Sequence, residues 1–392
     1  MRVAVIGGGI NGAGVAWELS RRDYDVTLFE KGRCGAQTSS ATTKMIHGGL
    51  RYLEHAHVAL VRESLRDRGW LLRNLPEIVK PVEILLPVYD DSPRRALTLR
   101  AGLALYDLLA GRHNIAPHMA MSAEELIARV PLTPAGLRSG FSYWDAQVDD
   151  YALARIVVAS AISEGATIRE ETRVVSLRRK GNEWIVVTAS GEESRFDFVV
   201  NAAGPWMNAL LAENRIRSRY RLSLVRGSHL VLKQRITNVG MLLQSISDRR
   251  IFFVLPWKGT TLVGTTEVMH RTSLENVHAM DEEIDYLIAR FNRYLREPIV
   301  PDDVASTFAG VRPLVGRAAN PSAIGRDYRL ERRGNLLNIF GGKMTTFRSL
   351  AEKVAMRVDN YAGTMTSARE ARFVGPLPKE TPSTTETLRA QR

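Results

Sequence analysis

The beginning of the chain restricts its fold more than any other segment, because a strand, a glycine turn, a helix and a second strand follow one another there. The run from Val3 to Ile6 is short and apolar, which suits a buried parallel strand. A helical stretch extends from Ala13 to Arg22, and the second strand, from Val26 to Phe29, ends in Glu30. This order predicts a βαβ unit that binds a dinucleotide.

Three glycines, Gly7, Gly9 and Gly12, lie between the first strand and the helix in G-x-G-x-x-G spacing. We expect Gly7 to allow the tight turn, Gly9 to let the backbone approach a pyrophosphate, and Gly12 to let the helix pack closely on the strand. The pyrophosphate would lie at the helix N-terminus, where unpaired N–H groups favour an anion. Glu30 is placed for the ribose hydroxyls, and its charge argues against a 2′-phosphorylated cofactor.

Length and composition narrow the class of protein. A chain of 392 residues is long enough for two domains. The single cysteine, Cys34, cannot form an intrachain disulfide, and without a Cys-x-x-Cys partner it is interpreted as incidental. The first strand begins at residue 2, and no apolar run is long enough to cross a bilayer. These features predict a cytoplasmic protein without a signal peptide or a membrane span, and no metal site is predicted.

The charge balance, 54 Lys and Arg against 42 Asp and Glu, gives a formal net charge of +12. Such a charge is compatible with nucleic acid, an anionic membrane surface or a phosphorylated substrate. No basic block interleaved with aromatic residues occurs, which argues against nucleic acid. The leucine-rich stretch from Arg94 to Arg112 leaves two alternatives open: a helix at the inner face of an acidic membrane, or a core helix with basic ends.

Several motifs beyond the first βαβ unit are collinear with one known family from residue 2 to about residue 355. The motifs TSSATTKMIHGGLRYLE, NAAGPW, RGSHLVL, GVRPLVG and FGGKMTTFR resemble those of FAD-dependent glycerol-3-phosphate dehydrogenases, within the wider D-amino-acid-oxidase-like flavoproteins. The resemblance implies FAD as the cofactor. Respiratory members of the family continue into a helical C-terminal domain, and this sequence ends where that domain would begin.

The predicted fold class is α/β, with a Rossmann-like FAD-binding domain interleaved with an α+β substrate domain. Four strand candidates between residues 222 and 268 carry few helical signals, so the substrate domain is expected to contain a mostly antiparallel sheet. We assign residues 1–75, 145–210 and 300–365 to the FAD-binding domain and residues 76–144 and 211–299 to the substrate-binding domain. The polar tail, residues 371–392, is expected to be disordered.

Two further segments are expected to hold the cofactor. Hydroxyl groups of the segment after Glu30 would lie beside the cofactor, and a nearby lysine would offset the negative charge of the cofactor. The last helix would begin at the pyrimidine edge of the flavin, where the helix dipole stabilises negative charge. With the family resemblance, the expected cofactor-binding residues are Gly7, Gly9, Asn11, Gly12, Glu30, Lys31, Ser39, Ser40, Thr43, Lys44, His47, Gly48, Gly49, Val174, Ala203, Gly204, Gly342, Lys343, Met344 and Thr345.

Substrate recognition requires a phosphate and a hydroxyl-bearing carbon to be held over the flavin. The resemblance implies that Arg51, Tyr52, His229, Arg312 and Lys343 line the substrate pocket. We assign His229 as the base that removes the hydroxyl proton, because imidazole titrates near neutrality, and Arg312 as the cation that stabilises the alkoxide. His47 lies in the flavin loop and competes with His229 for the role of base.

These observations predict the oxidation of sn-glycerol 3-phosphate to dihydroxyacetone phosphate by hydride transfer to FAD, with a quinone or another compound as electron acceptor. The alternative within the same class is a flavin oxidoreductase that acts on a 2-hydroxy acid or an amine, with Arg312 holding a carboxylate. A non-catalytic FAD-binding protein would not need the polar pocket residues. A nicotinamide-linked reductase would leave the C-terminal GGKMTT motif unexplained.

Overall fold

A computed structural model describes residues 1–316, 324–364 and 366–373. Its helices are α1 (Ile10–Ser20), α2 (Val58–Asn74), α3 (Ala96–Ala110), α4 (Ala123–Arg129), α5 (Asp150–Ser163), α6 (Met207–Glu213), α7 (Asp281–Asn292) and α8 (Phe347–Ala362). Its strands are β1 (Arg2–Ile6), β2 (Asp25–Phe29), β3 (Met45–Ile46), β4 (Val79–Tyr89), β5 (Met119–Ser122), β6 (Leu137–Val148), β7 (Thr167–Arg169), β8 (Val174–Lys180), β9 (Glu183–Thr188), β10 (Glu193–Phe196), β11 (Phe198–Asn201), β12 (Leu222–Leu232), β13 (Gly240–Gln244), β14 (Ile251–Trp257), β15 (Thr260–Gly264), β16 (Val268–Met269), β17 (Val304–Val315), β18 (Arg329–Arg333) and β19 (Leu336–Phe340).

One sheet carries the N-terminal βαβ unit and has the strand order β18-β19-β11-β1-β2-β7. Strand β1 is parallel to both β2 and β11, so the carboxyl ends of these three strands lie at one edge of the sheet. Helix α1 packs against α5 and α8, and the side chains of Val3 and Val5 are fully buried. The apolar runs therefore form a parallel sheet covered by helices, and the Rossmann-like prediction is confirmed.

The second large sheet has the strand order β16-β12-β15-β14-β13-β4-β6-β3, with β17 also pairing with β12 and β5 with β6. Its pairs are antiparallel except for β13 and β4. This confirms the expected mostly antiparallel sheet. A third, three-stranded sheet is formed by β10, β9 and β8.

The strand pairing moves one predicted domain boundary. Residues from 300 onward were assigned to the FAD-binding domain, but β17 pairs with β12 from Val315 opposite Leu222 to Val304 opposite Leu232. The boundary at residue 300 is therefore wrong, because this long antiparallel ladder keeps β17 in the large sheet. The chain returns to the first sheet at β18.

The predicted tail begins inside the fold. The ring of Phe373 stacks on Trp17 at a centroid distance of 4.8 Å and also contacts Trp70. Residues 371–373 are thus packed against the core of the first sheet rather than disordered. The remainder of the predicted tail, residues 374–392, lies outside the described residues.

The leucine-rich stretch forms helix α3, whose two faces bear on the two alternatives predicted for it. Its inner face, with Leu99, Leu103 and Tyr106, is buried against the second sheet, as expected for a core helix. Its outer face exposes Leu97 and Leu108, by 79% and 75%. No helix in the described ranges is long and apolar enough to cross a membrane. The inner face accounts for part of the hydrophobic pattern, and contact of the outer face with a membrane stays a prediction.

Candidate active site

The junction of β1 and α1 has no room for a side chain at Gly7, in the turn, or at Gly12, in the first turn of α1. Gly7 has a φ of +103°, which disfavours residues other than glycine, and a Cβ atom there would lie 2.6 Å from the carbonyl oxygen of Ala202. A Cβ atom at Gly12 would lie 1.8 Å from the carbonyl oxygen of Gly7. The turn can therefore bring bare backbone and the N-terminus of α1 up to a phosphate-bearing ligand.

A cavity of about 350 Å³ begins at this turn and extends between the two large sheets. It contains both backbone turns and polar side chains contributed by distant parts of the chain. Of the expected cofactor-binding and substrate-binding residues, those that line it are Gly7, Gly9, Asn11, Glu30, Lys31, Ser39, Thr43, His47, Tyr52, Val174, Ala203, Gly204, Arg312, Gly342, Lys343, Met344 and Thr345.

Two side chains in the cavity test whether the site fits FAD. The side-chain oxygen of Asn11 is buried and has no hydrogen-bond partner among the described residues, so it is available to a ligand. Glu30 accepts hydrogen bonds from the backbone N–H groups of Gly8 (2.6 Å) and Gly32 (3.0 Å). A carboxylate has further lone pairs that can accept ribose hydroxyls. The turn, the amide oxygen and the carboxylate together fit a dinucleotide.

Lys44 does not line the cavity. Its Nζ donates to Asp150 Oδ1 and to the carbonyl oxygen of Ser40, both at 2.6 Å, and its side chain is buried. The prediction that Lys44 offsets the charge of the cofactor is therefore wrong, because Asp150 already neutralises it.

The other expected cofactor-binding residues outside the cavity shape its walls. The Ser40 hydroxyl donates to the carbonyl oxygens of Ala36 and Gln37. The backbone N–H of Gly48 donates to the Tyr106 hydroxyl at 2.8 Å. Gly12, Ser40, Gly48 and Gly49 are thus structural neighbours of the site rather than lining residues.

Lys343 presents a buried cation to the cavity. Its Nζ lies 3.9 Å from the centroid of the Tyr52 ring, a cation–π distance, and makes no hydrogen bond to any residue that the structure describes. Burial lowers the pKa of Lys343, opposed by the Tyr52 and Asp327 side chains. A buried ammonium group without a hydrogen-bond acceptor favours binding of an anion from the cavity.

Arg312 lies on β17 and reaches across β12 into the same end of the cavity. Its guanidinium donates to the carbonyl oxygen of Thr266 (3.2 Å) and to Thr265 Oγ1 (2.9 Å). Gly227 on β12 makes this possible, because a Cβ atom there would lie 2.4 Å from Arg312 Nη1. Burial and then the charge of Arg326 lower the pKa of Arg312 to about 10, so the group is still a cation at neutral pH.

The sequence motifs missed Arg326, which lies outside them, just before β18. Arg326 lines the cavity and forms an ion pair with Glu267 Oε1. The expected substrate-binding residue Arg51 does not line the cavity, and its Nη1 lies 3.8 Å from the same Glu267 oxygen. Arg51, Arg312, Arg326 and Lys343 thus form a cation cluster: Arg51 and Arg326 share Glu267, while the charge of Arg326 acts on both Arg312 and Lys343. A second carboxylate, that of Asp327, lines the cavity and acts on Lys343.

The two candidate bases occupy different positions. His47 lines the cavity, and burial lowers its pKa, opposed by the Asp145 carboxylate. His229 is fully buried behind the cavity, where its ring stacks on Phe308 at 4.7 Å. Burial and then the charges of Arg312 and Lys44 hold the pKa of His229 well below its usual value. The expectation that His229 lines the substrate pocket is corrected by this position: Thr43 lines the cavity, and His229 Nε2 lies behind it, 3.0 Å from Thr43 Oγ1.

The fold and the cavity define an oxidoreductase built to hold a dinucleotide between a Rossmann-like sheet and a substrate sheet. The chain belongs to the FAD dependent oxidoreductase family, whose model matches residues 2–355. This confirms the prediction of FAD as the cofactor. The solved glycerol-3-phosphate dehydrogenase of Bacillus halodurans, complexed with FAD, has the same fold, with a TM-score of 0.75 at 24% identity over 94% of this chain and 66% of that one.

Two curated relatives are similar over most of this chain. One is the D-erythritol 1-phosphate dehydrogenase of Brucella abortus, 40% identical over 361 residues, which cover 89% of this chain and 72% of that protein. The other is the glycerol-3-phosphate dehydrogenase of Pseudomonas aeruginosa, 38% identical over 391 residues, which cover 96% of this chain and 74% of that protein. The resemblance to FAD-dependent glycerol-3-phosphate dehydrogenases is confirmed at this level.

Proposed function

We propose that this protein oxidises sn-glycerol 3-phosphate to dihydroxyacetone phosphate. The observation that carries the proposal is the cation cluster of Arg51, Arg312, Arg326 and Lys343 at one end of the cavity, which outnumbers its carboxylates, Glu267 and Asp327. Such an excess of positive charge suits a dianionic phosphate ester, since arginine and lysine are the residues that bind phosphate by charge-assisted hydrogen bonds. A single carboxylate substrate would need fewer cations.

Each cation has its own part in this proposal. Lys343 and Arg326 line the cavity and bind the phosphate, and Arg51, which does not line the cavity, adds its charge from the far side of the shared Glu267 ion pair. Arg312 is held by Thr265 and Thr266, so its guanidinium is already oriented before the substrate enters. There it stabilises the negative charge that develops on the substrate oxygen as the hydroxyl proton leaves.

His47 is the proposed proton acceptor, because it lines the cavity and His229 does not. Since burial lowers the pKa of His47, its imidazole is neutral at pH 7 and able to take up the hydroxyl proton. FAD, which the glycine turn and Glu30 would hold, would supply the acceptor for the hydride that leaves the carbon carrying this hydroxyl group. The chain's own contribution is thus to orient the alcohol, remove its proton and balance the resulting charge.

Electron transfer to a quinone is proposed as the second half of the reaction, with the protein in peripheral contact with an anionic membrane. The feature that supports this contact is the outer face of α3, where Leu97 and Leu108 are exposed next to the basic ends of the helix. We propose the cytoplasmic face of the membrane as the location.

A second candidate substrate is D-erythritol 1-phosphate, because the relative that bears this name in Brucella abortus is 40% identical. Both candidates place a phosphate and a secondary alcohol in one molecule, and they differ in the length of the polyol. The cation cluster would serve either of them.

An anaerobic substrate screen tests the proposal. The purified yellow protein is mixed with glycerol 3-phosphate, erythritol 1-phosphate, glycerol and lactate, and the loss of flavin absorbance is followed. We expect rapid bleaching by a phosphorylated polyol and slow bleaching by glycerol. Bleaching by lactate, with no response to either phosphate ester, would replace the proposal with the 2-hydroxy-acid alternative.

A further inference from the structure

We propose that Glu267 is an internal counter-anion that competes with the substrate phosphate for Arg326 and Arg51, and so limits phosphate affinity and promotes product release. The inference rests on the proposed function, because it takes the cation cluster to be the phosphate site. Glu267 received no site role from the sequence, and the inference gives it a part in the catalytic cycle.

The contacts of Glu267 are the basis for this role. The residue follows β15, is 8% exposed, and its Oε1 is shared by the Arg326 ion pair and by Arg51 at 3.8 Å. Arg326 lines the cavity, whereas Glu267 does not. The guanidinium that faces an incoming phosphate is therefore already engaged by a carboxylate from the opposite side.

Three separate segments meet at this carboxylate: the turn that carries Arg51, the segment after β15, and the segment before β18. Without Glu267, the cations Arg51, Arg312 and Arg326 would repel one another at low exposure to solvent, whereas the carboxylate of Asp327 acts on Lys343. Burial and the charge of Arg326 already lower the pKa of Arg312, and Glu267 opposes that effect. Glu267 thus holds the cations together while no phosphate is bound.

Phosphate binding then becomes an exchange of partners. As the ester enters, some N–H groups of Arg326 donate to the phosphate instead of to Glu267. The negative charge of Glu267 repels the bound phosphate. The same repulsion acts on the phosphate of the product. An enzyme gains nothing from binding substrate and product very tightly, so a weakened phosphate site favours turnover.

The affinities for a dianion and for a monoanion distinguish a counter-anion from a residue that only positions Arg326. Coulomb energy is proportional to the charge of the ligand. Removal of Glu267 should therefore strengthen the binding free energy of a dianion twice as much as that of a monoanion. A gain of about tenfold for phosphate therefore corresponds to about threefold for acetate. If Glu267 only positions Arg326, its loss weakens the binding of both anions.

The experiment titrates the FAD-loaded wild type, Glu267→Gln, Glu267→Asp and Glu18→Gln with inorganic phosphate and with acetate, and follows the flavin spectrum. Glu18 is the matched control, since it is buried and paired with two arginines, Arg21 and Arg22, but does not line the cavity. We expect about tenfold tighter phosphate binding and about threefold tighter acetate binding in Glu267→Gln. The Glu267→Asp and Glu18→Gln variants should resemble the wild type.

Unchanged or weaker phosphate binding in Glu267→Gln, or equal gains for phosphate and acetate, would overturn the inference. The titration does not depend on turnover. A wild type that is not reduced by a phosphorylated polyol would disprove the proposed function while leaving the anion titration readable. If the Glu267→Gln protein loses FAD, Glu267→Asp provides the second variant. Its affinities for phosphate and for acetate should each lie within a factor of about two of the wild-type values.

Discussion

Thr43 Oγ1 lies 3.0 Å from His229 Nε2, so the buried imidazole is connected to the cavity through a threonine hydroxyl. Gly264 leaves the space that the ring needs, because a Cβ atom there would lie 2.2 Å from His229 Cδ2. This arrangement places His229 behind the wall of the site, while His47 forms part of the wall itself. The two histidines should respond differently to substitution.

We expect His47→Asn to slow flavin reduction by glycerol 3-phosphate by roughly 10²-fold to 10⁴-fold, the usual contribution of a general base. Because the pKa of His47 is lowered, the wild-type rate should be level at neutral pH and fall only below the ordinary histidine range, as the imidazole becomes protonated. Stopped-flow measurement of flavin reduction between pH 5 and pH 8 checks both points. A larger loss in His229→Asn than in His47→Asn would reverse the assignment.

The turn after β1 should tolerate no side chain at Gly12. A Cβ atom at Gly12 would lie 1.8 Å from the carbonyl oxygen of Gly7, so Gly12→Ala should displace the phosphate turn and yield colourless protein. Gly102→Ala is the control, since its nearest neighbour would be a leucine methyl group at 3.9 Å. The flavin absorbance of the two purified variants, relative to protein concentration, measures the effect. A yellow Gly12→Ala protein with a normal FAD content would contradict it.

Removal of a phosphate-binding cation should affect only phosphorylated substrates. A charge-assisted contact at a shielded site contributes about 1.5 to 3 kcal/mol, or roughly one to two decades in a rate or equilibrium constant. We therefore expect Lys343→Ala and Arg326→Ala to weaken flavin reduction by glycerol 3-phosphate to that extent and to leave reduction by glycerol unchanged. The exposed Lys258→Ala serves as control. An equal loss with both substrates would show that the cations act on the flavin instead.

A buried carboxylate between α2 and α8 should make stability depend on pH. Burial raises the pKa of Asp67 from 3.8 to about 6, and Asp67 Oδ2 has no hydrogen-bond partner among the described residues. A raised pKa in the folded state contributes stability that is complete below pH 3.8 and lost as the pH rises through about 6. We expect Asp67→Asn to gain stability relative to the wild type as the pH rises from 4 to 7, by on the order of 2 kcal/mol. Thermal melts at both pH values test this, and a difference that is independent of pH would contradict it.

The outer face of α3 should bind anionic vesicles if it contacts a membrane. We expect the wild type to sediment with vesicles that contain anionic lipid at low salt and to dissociate at high salt, because exposed charges are screened over about 8 Å at physiological ionic strength. The double variant Leu97→Ser, Leu108→Ser should bind less. Ile162→Ser, which changes another exposed apolar side chain on a different helix, is the control. Equal binding to neutral and anionic vesicles would remove the electrostatic part of the prediction.

Local sequence patterns predicted the elements around the cofactor well. The strand before Gly7 and the strand before Glu30 formed where the pattern predicted them, and the helix between them formed three residues early, at Ile10 rather than Ala13, so that it contains Gly12. These elements depend on neighbouring residues: an apolar period, glycines where the backbone is crowded, and an acid at a strand end. The same local information predicted a last helix at the FGGKMTTFR segment, and α8 begins there at Phe347.

Pairings across the chain were not predictable in the same way. Lys44 is neutralised by Asp150, more than a hundred residues away. Arg326, which lies in a segment with no recognisable motif, pairs with Glu267. The distance in sequence between such partners varies with loop length, so no periodicity marks them. The position of β17 in the second sheet is of the same kind, since either sheet could have paired with an apolar strand.

The FAD-binding unit is therefore readable from residue order alone, because its turn requires particular residue types at fixed short spacings. Which cations face the cavity and which are already neutralised became known from the packed chain. It also decided which histidine forms the wall of the site and which lies behind Thr43. Charge, burial and access depend on which strand ends meet in space, and distant segments meet only when the whole chain has packed.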